Sequence, residues 1–202
     1  MERTIIRLDA SHRDAAITTL AAAFQDDPAM AYMLPDPAVR PARLTMLMRW
    51  FFDEHLKNGV IFGTPGAEAV TLWRPPGQIH AETPLWDPGA LRFVPIFRLG
   101  LGRALRTDAG IHAHLPEGES WFYLKMAGVR PDCQGKGLGG LTIRTGLAEA
   151  AGLGLPAVLE TATPSNVGLY QRLGFGVRSE WDVAKGGPHF WTMVNMTPGA
   201  ED

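Results

Sequence analysis

Between a dense apolar run at Trp121–Val129 and a helical pattern that begins near Leu138, the chain places four glycines in six positions: Gln134-Gly135-Lys136-Gly137-Leu138-Gly139-Gly140. A strand that gives way to a helix through such a loop lets backbone N–H groups approach a ligand closely. The unpaired N–H groups of the helix's first turn, with the helix dipole, favour an anion there, and Lys136 adds a positive charge. A pyrophosphate is the natural guest; a tight turn with no ligand is the plain alternative. The anion site is local, because 19 basic against 21 acidic residues leave a formal charge of −2. That balance excludes an overall field built to hold nucleic acid or an anionic membrane.

The elements around the loop constrain the fold. Trp121–Val129 is rich in aromatic and apolar residues and reads as a strand through the middle of a sheet. Beyond Gly137 a helix carries Ile143, Leu147, Ala150 and Ala151 on one face, Gly152 and Gly154 end it, and Ala157–Thr161 follows as a strand. A strand-helix-strand crossover demands a parallel pair with a right-handed connection. A short helix over 165–173, closed by Gly174 in the left-handed region, leads to strands near 175–184 and 189–196.

Upstream, Thr4–Leu8 reads as a strand, and Ile17, Leu20, Ala21 and Phe24 follow at helical spacing. Asp26-Asp27-Pro28 and Leu34-Pro35-Asp36-Pro37 are turn chemistry. Pro41 opens a helix with Leu44, Leu47, Met48 and Phe51 on one stripe, ending near Asn58-Gly59. Val60–Phe62 and Ala69–Trp73 form a hairpin around Thr64-Pro65-Gly66. Residues 85–116, with Pro95 and two glycines, predict a broken helix laid over the core. The sum is a mixed α/β or α+β fold. With 46% hydrophobic residues in 202, the chain can bury the core of one domain over 1–202.

Three nucleotide-type patterns compete for the glycine loop. The P-loop needs Gly where Arg130 stands and Ser or Thr where Gly137 stands. The dinucleotide fingerprint fits better: Gly135, Gly137 and Gly140 match G-x-G-x-x-G, and Glu160 lies twenty residues on. Against it, Arg130–Gln134 separates the strand from the glycines, and too little chain remains for a doubly wound sheet. The third pattern, Val129-Arg130-Pro131 followed by Gln134-x-x-Gly137-x-Gly139, resembles motif A, the acetyl-CoA loop, of the GNAT N-acetyltransferase superfamily. Asn166-x-x-x-Tyr170 with Leu173-Gly174-Phe175 resembles that family's motif B.

The resemblance covers 119–196, the implied acetyl-CoA-binding core. More loosely, Phe24–Pro35 and Trp73-Arg74-Pro75-Pro76-Gly77 resemble the branch with puromycin-type antibiotic acetyltransferases. It implies a GNAT-like, mostly antiparallel central sheet with one parallel crossover, flanking helices, and a central strand splayed from its parallel neighbour. Acetyl-CoA would lie in that gap, with no metal. Ala127, Gly128 and Val129 would meet the pantetheine arm through their backbone, and the amides of Gln134, Gly135, Lys136, Gly137, Leu138, Gly139 and Gly140 would surround the pyrophosphate. Asn166 would hydrogen-bond the pantetheine, and Tyr170 would give the departing thiolate its proton. Core packing is the alternative for Tyr170, as a solvated strand end or an ion-paired carboxylate is for Glu160.

Transfer to an amine also needs a base or a water relay, since a lysine-like amine with a pKa of about 10.4 is protonated near neutral pH. Glu160, at the end of the strand beside the central one, is the candidate. His80, His112 and His114 are weaker ones. Cys133, the one cysteine, has no partner pattern for a nucleophile, which favours direct transfer and a reducing compartment. Residues 85–116 match no motif and form the variable, acceptor-side segment. Its Phe and Leu residues, with Arg92, Arg98, Arg103 and Arg106, predict a small amine with an apolar body rather than a polycation, unless Glu117 and Glu119 reverse the charge. No signal peptide or membrane span is legible, so the expectation is a cytoplasmic enzyme with no nucleic-acid or membrane partner; a homodimer is left open.

Overall fold

Alternating apolar residues and tight turns build one sheet from both halves of the chain. The computed structural model describes residues 4–78, 91, 93–118 and 120–196. Strands β1 (Ile6–Arg7), β2 (Val60–Gly63), β3 (Ala69–Arg74), β4 (Phe122–Val129), β5 (Ala157–Thr161), β6 (Gly176–Asp182) and β7 (His189–Asn195) lie in the order β1-β2-β3-β4-β5-β7-β6. β4 and β5 are parallel and every other adjacent pair is antiparallel. A sheet with one parallel pair is not the doubly wound sheet that the dinucleotide pattern requires.

Helices α1 (Arg13–Ala23), α2 (Pro28–Met33), α3 (Arg40–Asn58), α4 (Phe93–Phe97) and α5 (Leu101–His114) cover one face. Ile17, Leu20, Leu44, Met48, Phe52 and Ile96 pack there on Ile61, Val70, Leu72 and Met126. Helices α6 (Leu138–Gly152) and α7 (Pro164–Arg172) cover the other face, with Ile143, Ala150, Tyr170 and Leu173 against Trp73, Phe122, Leu124 and Leu159. α6 lies so close that a Cβ on Gly146 would come within 2.2 Å of the Trp73 ring. That ring is stacked on Phe122 at 5.1 Å and donates its Nε1–H to Thr71 Oγ1 at 3.0 Å.

Two local expectations change. Asp26-Asp27-Pro28 is the start of α2 rather than a plain turn: Asp27 accepts from the Ala29 and Met30 N–H groups, and Pro28 sits in the first turn, where its missing N–H costs nothing. On α6, Ala151 is exposed, and the inward stripe runs through Thr142, Ile143, Gly146 and Ala150. The segment 93–114 is a broken helix as expected, with a short turn at Arg98–Gly100 between α4 and α5. Among the described residues no helix is long and apolar enough to cross a membrane.

One irregularity shapes the rest of the molecule. Leu72 of β3 lies opposite Met126, and Trp73 opposite Leu124, so Lys125 is an extra residue with no partner across the ladder. Such a bulge sharpens the twist and bends the strand. It also reverses the alternation, so that Met126 joins the α1–α5 core while Leu124 belongs to the α6–α7 core. At that point β4 leaves β5: the parallel pairs are Phe122–Ala157, Tyr123–Val158 and Leu124–Leu159, while pairing with β3 continues to Val129.

Candidate active site

Where the two parallel strands part, the edge of β4 beyond Leu124 is open, and a cavity of about 1180 Å³ occupies the space. Its wall includes Ala127, Gly128 and Val129 of that edge, the glycine loop, Glu160, and Asn166 and Tyr170 of α7. The structure thus gathers nearly all the residues expected from sequence around one space.

The loop keeps the shape that the glycines suggested. A short turn at Pro131–Cys133 leads from β4, and Gly137 caps α6 with φ 81°. A Cβ at Gly137 would meet nothing within 4 Å, so the site is open on that side and the glycine serves the left-handed backbone. Gln134, Gly135, Gly137, Leu138, Gly139 and Gly140 line the cavity; Lys136 does not, and its Nζ donates to the Asp132 carbonyl at 2.8 Å. The free N–H groups at the start of α6, an open cradle and an unpaired strand edge together fit a long ligand with an anionic end. Among the described residues no cluster of His, Cys, Asp or Glu is placed to hold a metal ion.

Glu160 follows the β5 register. It shares a face with Val158, which lies beside Tyr123, and the face is that of α5. Its side chain is 7% exposed. Oε1 accepts the Tyr123 hydroxyl hydrogen and lies 3.7 Å from Lys125 Nζ, while Oε2, also buried, has no hydrogen-bond partner among the described residues. Burial raises the Glu160 pKa above the usual carboxylate value, against the opposing pull of Lys125, the Tyr123 hydroxyl and Arg74.

Tyr170 is buried, packed edge-on against Phe175 with ring centroids 6.0 Å apart. Burial first, and then the Glu160 and Asp27 carboxylates, push its pKa up, so its proton stays on at neutral pH. Asn166 lies one turn before it on α7 and also lines the cavity. Asp27 joins the site from α2: it accepts the Thr163 hydroxyl at 3.1 Å, which ties the start of α2 to the loop after β5.

The weaker candidates separate. His112 lines the cavity 3.7 Å from Asp108, whereas His114 stacks on Trp181 at 4.5 Å and its Nδ1–H donates to the Gly110 carbonyl at 2.8 Å, a structural role. Cys133 is buried, with Arg130 Nη2 donating to its sulfur at 3.4 Å. His80, Arg92 and Glu119 lie outside the described residues.

The segment over 93–114 reaches the cavity through Phe93, Phe97, Leu101, Thr107, Asp108 and Ile111, facing Trp50 and Phe51 of α3. Of the four arginines, the three that are described do not line the cavity. Arg103 and Arg106 turn to Tyr32, donating to its carbonyl at 3.2 Å and its hydroxyl at 3.3 Å, and Arg98 is exposed; none lines the cavity. Glu117 is exposed and is also absent from the wall. The charged group that the segment does bring is Asp108. Tyr123 and Lys125 escaped the sequence reading, although both sit in its densest strand.

Comparison with known proteins agrees with this geometry. Residues 98–175 match the model of the acetyltransferase (GNAT) family. A mycothiol acetyltransferase of Thermobifida fusca is 33% identical over 166 residues, which is 74% of this chain and 50% of the relative, so the chain spans half the length of that protein. Among solved structures, a histone acetyltransferase HPA2 and related acetyltransferase from Corynebacterium glutamicum superposes with a TM-score of 0.73 at 22% identity, over 96% of each chain. The ribosomal-protein-S18-alanine N-acetyltransferase of Escherichia coli does so with 0.56 at 15% identity, over 98% of this chain and 97% of that one. At such identities these structures speak for the fold.

Proposed function

The chain belongs to the GNAT acetyltransferase superfamily, and from that premise we propose that it moves the acetyl group of acetyl-CoA directly onto a primary amine of a small molecule. The observation that carries the reading is Glu160, a residue lining the cavity where β4 and β5 part, whose buried Oε2 has no partner among the described residues. A buried, raised carboxylate beside an open strand edge is suited to taking a proton from an amine near neutral pH.

Acetyl-CoA supplies the thioester carbon that the amine nitrogen attacks, with the C–S bond breaking as the C–N bond forms. This chain's residues do the rest. The backbone of Ala127, Gly128 and Val129 holds the pantetheine arm, assisted by Asn166, and the amides of 134–140 hold the pyrophosphate. Lys136 serves only if it leaves the Asp132 carbonyl. Glu160 takes the amine proton, and Tyr170, kept protonated by its burial, gives one to the thiolate sulfur. The name of the matched relative supports acetyl as the group moved. The apolar wall from α3, α4 and α5 supports a small acceptor with an apolar body. The test is calorimetry with acetyl-CoA and with NAD, followed by thiol release with aromatic monoamines, aminoglycosides and lysine-rich peptides. Acetyl-CoA alone binds and a small amine is the best acceptor on this reading; NAD binding, or peptides as best substrates, overturns it.

A further inference from the structure

The bulge at Lys125 does more than open the gap: it brings a tyrosine and a lysine from β4 to the one carboxylate of β5. We infer that Tyr123 and Lys125 are the positioning residues of the base, holding Glu160 Oε1 so that Oε2 alone is left to take the proton from the acceptor amine. The inference deepens the proposed reaction and rests on Glu160 being its base.

The parallel register supplies the argument. Tyr123 lies beside Val158, so two residues further on Lys125 and Glu160 would be neighbours had the ladder continued. It stops at Leu124–Leu159, and side chains span the gap where backbone bonds end. The Tyr123 hydroxyl donates to Glu160 Oε1, and Lys125 Nζ donates to that hydroxyl at 3.1 Å. The lysine is 12% exposed and its ammonium lies 5.9 Å from the centre of the Phe51 ring, which holds it from the α3 side. One carboxylate oxygen is therefore fixed by a hydrogen bond and a nearby cation, and the other, buried in a residue that lines the cavity, has its lone pairs unused among the described residues. When the amine nitrogen gives up its proton and keeps the electron pair, Oε2 is the acceptor and the Lys125 ammonium offsets the charge that Glu160 carries beforehand.

Charged and titratable groups act on Glu160 from four elements. Lys125 and Tyr123 from β4 and Arg74 from β3 favour its charged form, Asp108 from α5 opposes it, and Tyr170 from α7 stays neutral. Removing the lysine takes away the first of the favourable charges, so the carboxyl must hold its proton to higher pH.

The experiment titrates the Glu160 carboxyl carbon by NMR in protein labelled at glutamate, with the signal assigned by its loss in Glu160→Gln. Lys125→Met is expected to move the midpoint up by about one to three pH units, the range for an opposite charge at this distance. Lys125→Arg is expected to restore it, and Tyr123→Phe to raise it less than Lys125→Met. A Lys125→Met titration that overlays the wild type, in a protein with an unchanged thermal transition, overturns the inference even if Tyr123→Phe proves too unstable to read. Turnover separates the two claims. Should Glu160→Gln acetylate its acceptor at the wild-type rate, the base reading fails and the positioning role falls with it. Should Glu160→Gln be slow while the titrations overlay, only the positioning role fails.

Discussion

Burial opposes charge on Glu160, and this conflict separates the residue's proposed part in the reaction from what it does for the fold. Its folded pKa lies above the unfolded value, so its contribution to stability is fully present below the unfolded pKa and is lost as pH rises through the folded one. Activity runs the opposite way, rising as the carboxyl ionises. Glu160→Gln is therefore expected to lower kcat by about a hundredfold to ten-thousandfold, while its melting temperature gains on the wild type as pH rises; parallel pH series of turnover and thermal unfolding check both signs. Tyr170→Phe removes one hydroxyl from a packed site and is expected to lower kcat by about tenfold to a thousandfold with acetyl-CoA affinity nearly intact. Wild-type turnover in that variant would make Tyr170 a core residue only. That Glu160, Asn166 and Tyr170 line the cavity was legible in the sequence, Glu160 from its place at a strand end and the other two from the resemblance to motif B. Tyr123 and Lys125 were not, because a bulge breaks the alternation by which strand faces are read.

At the level of elements, the glycines of the crossover serve two different ends. Gly137 gives the start of α6 a left-handed backbone over an open cradle. Gly137→Asp adds both a strained side chain and a negative charge where the pyrophosphate is proposed to be held, so calorimetry is expected to show weakened acetyl-CoA binding in a protein that still unfolds cooperatively. Gly146 instead lets α6 lie against Trp73, whose ring is pinned by Phe122 and Thr71. Gly146→Ala is expected to destabilise by about 1–3 kcal/mol, the usual penalty for an overpacked core, read as a lowered melting temperature. The order of strands and helices followed from local patterning, and the parallel pair followed from the length of the crossover. The helix α2 did not, since Asp-Pro opens helices and turns alike and only the packing of Met30 and Met33 decides between them.

For the whole molecule, the cavity joins parts that no local reading connects: the opened edge of β4, the amides before α6, the phenol of α7 and the apolar wall of α3, α4 and α5. The acceptor side was the least legible in the sequence, because an arginine's position along a helix does not say which way its head turns. Arg103 and Arg106 are spent on Tyr32, and Asp108 faces the cavity instead. In the proposed reaction, this cavity transfers acetyl from CoA to an amine through Glu160. The most direct measurement follows CoA and acetylated amine together, by thiol release and mass spectrometry, for wild type and Glu160→Gln across the amine panel. Equal amounts of both products from at least one small amine, formed at least about a hundredfold more slowly by the variant, is the predicted result. Acetyl-CoA that binds but releases no more CoA with any amine than without, or a variant as fast as the wild type, would contradict it.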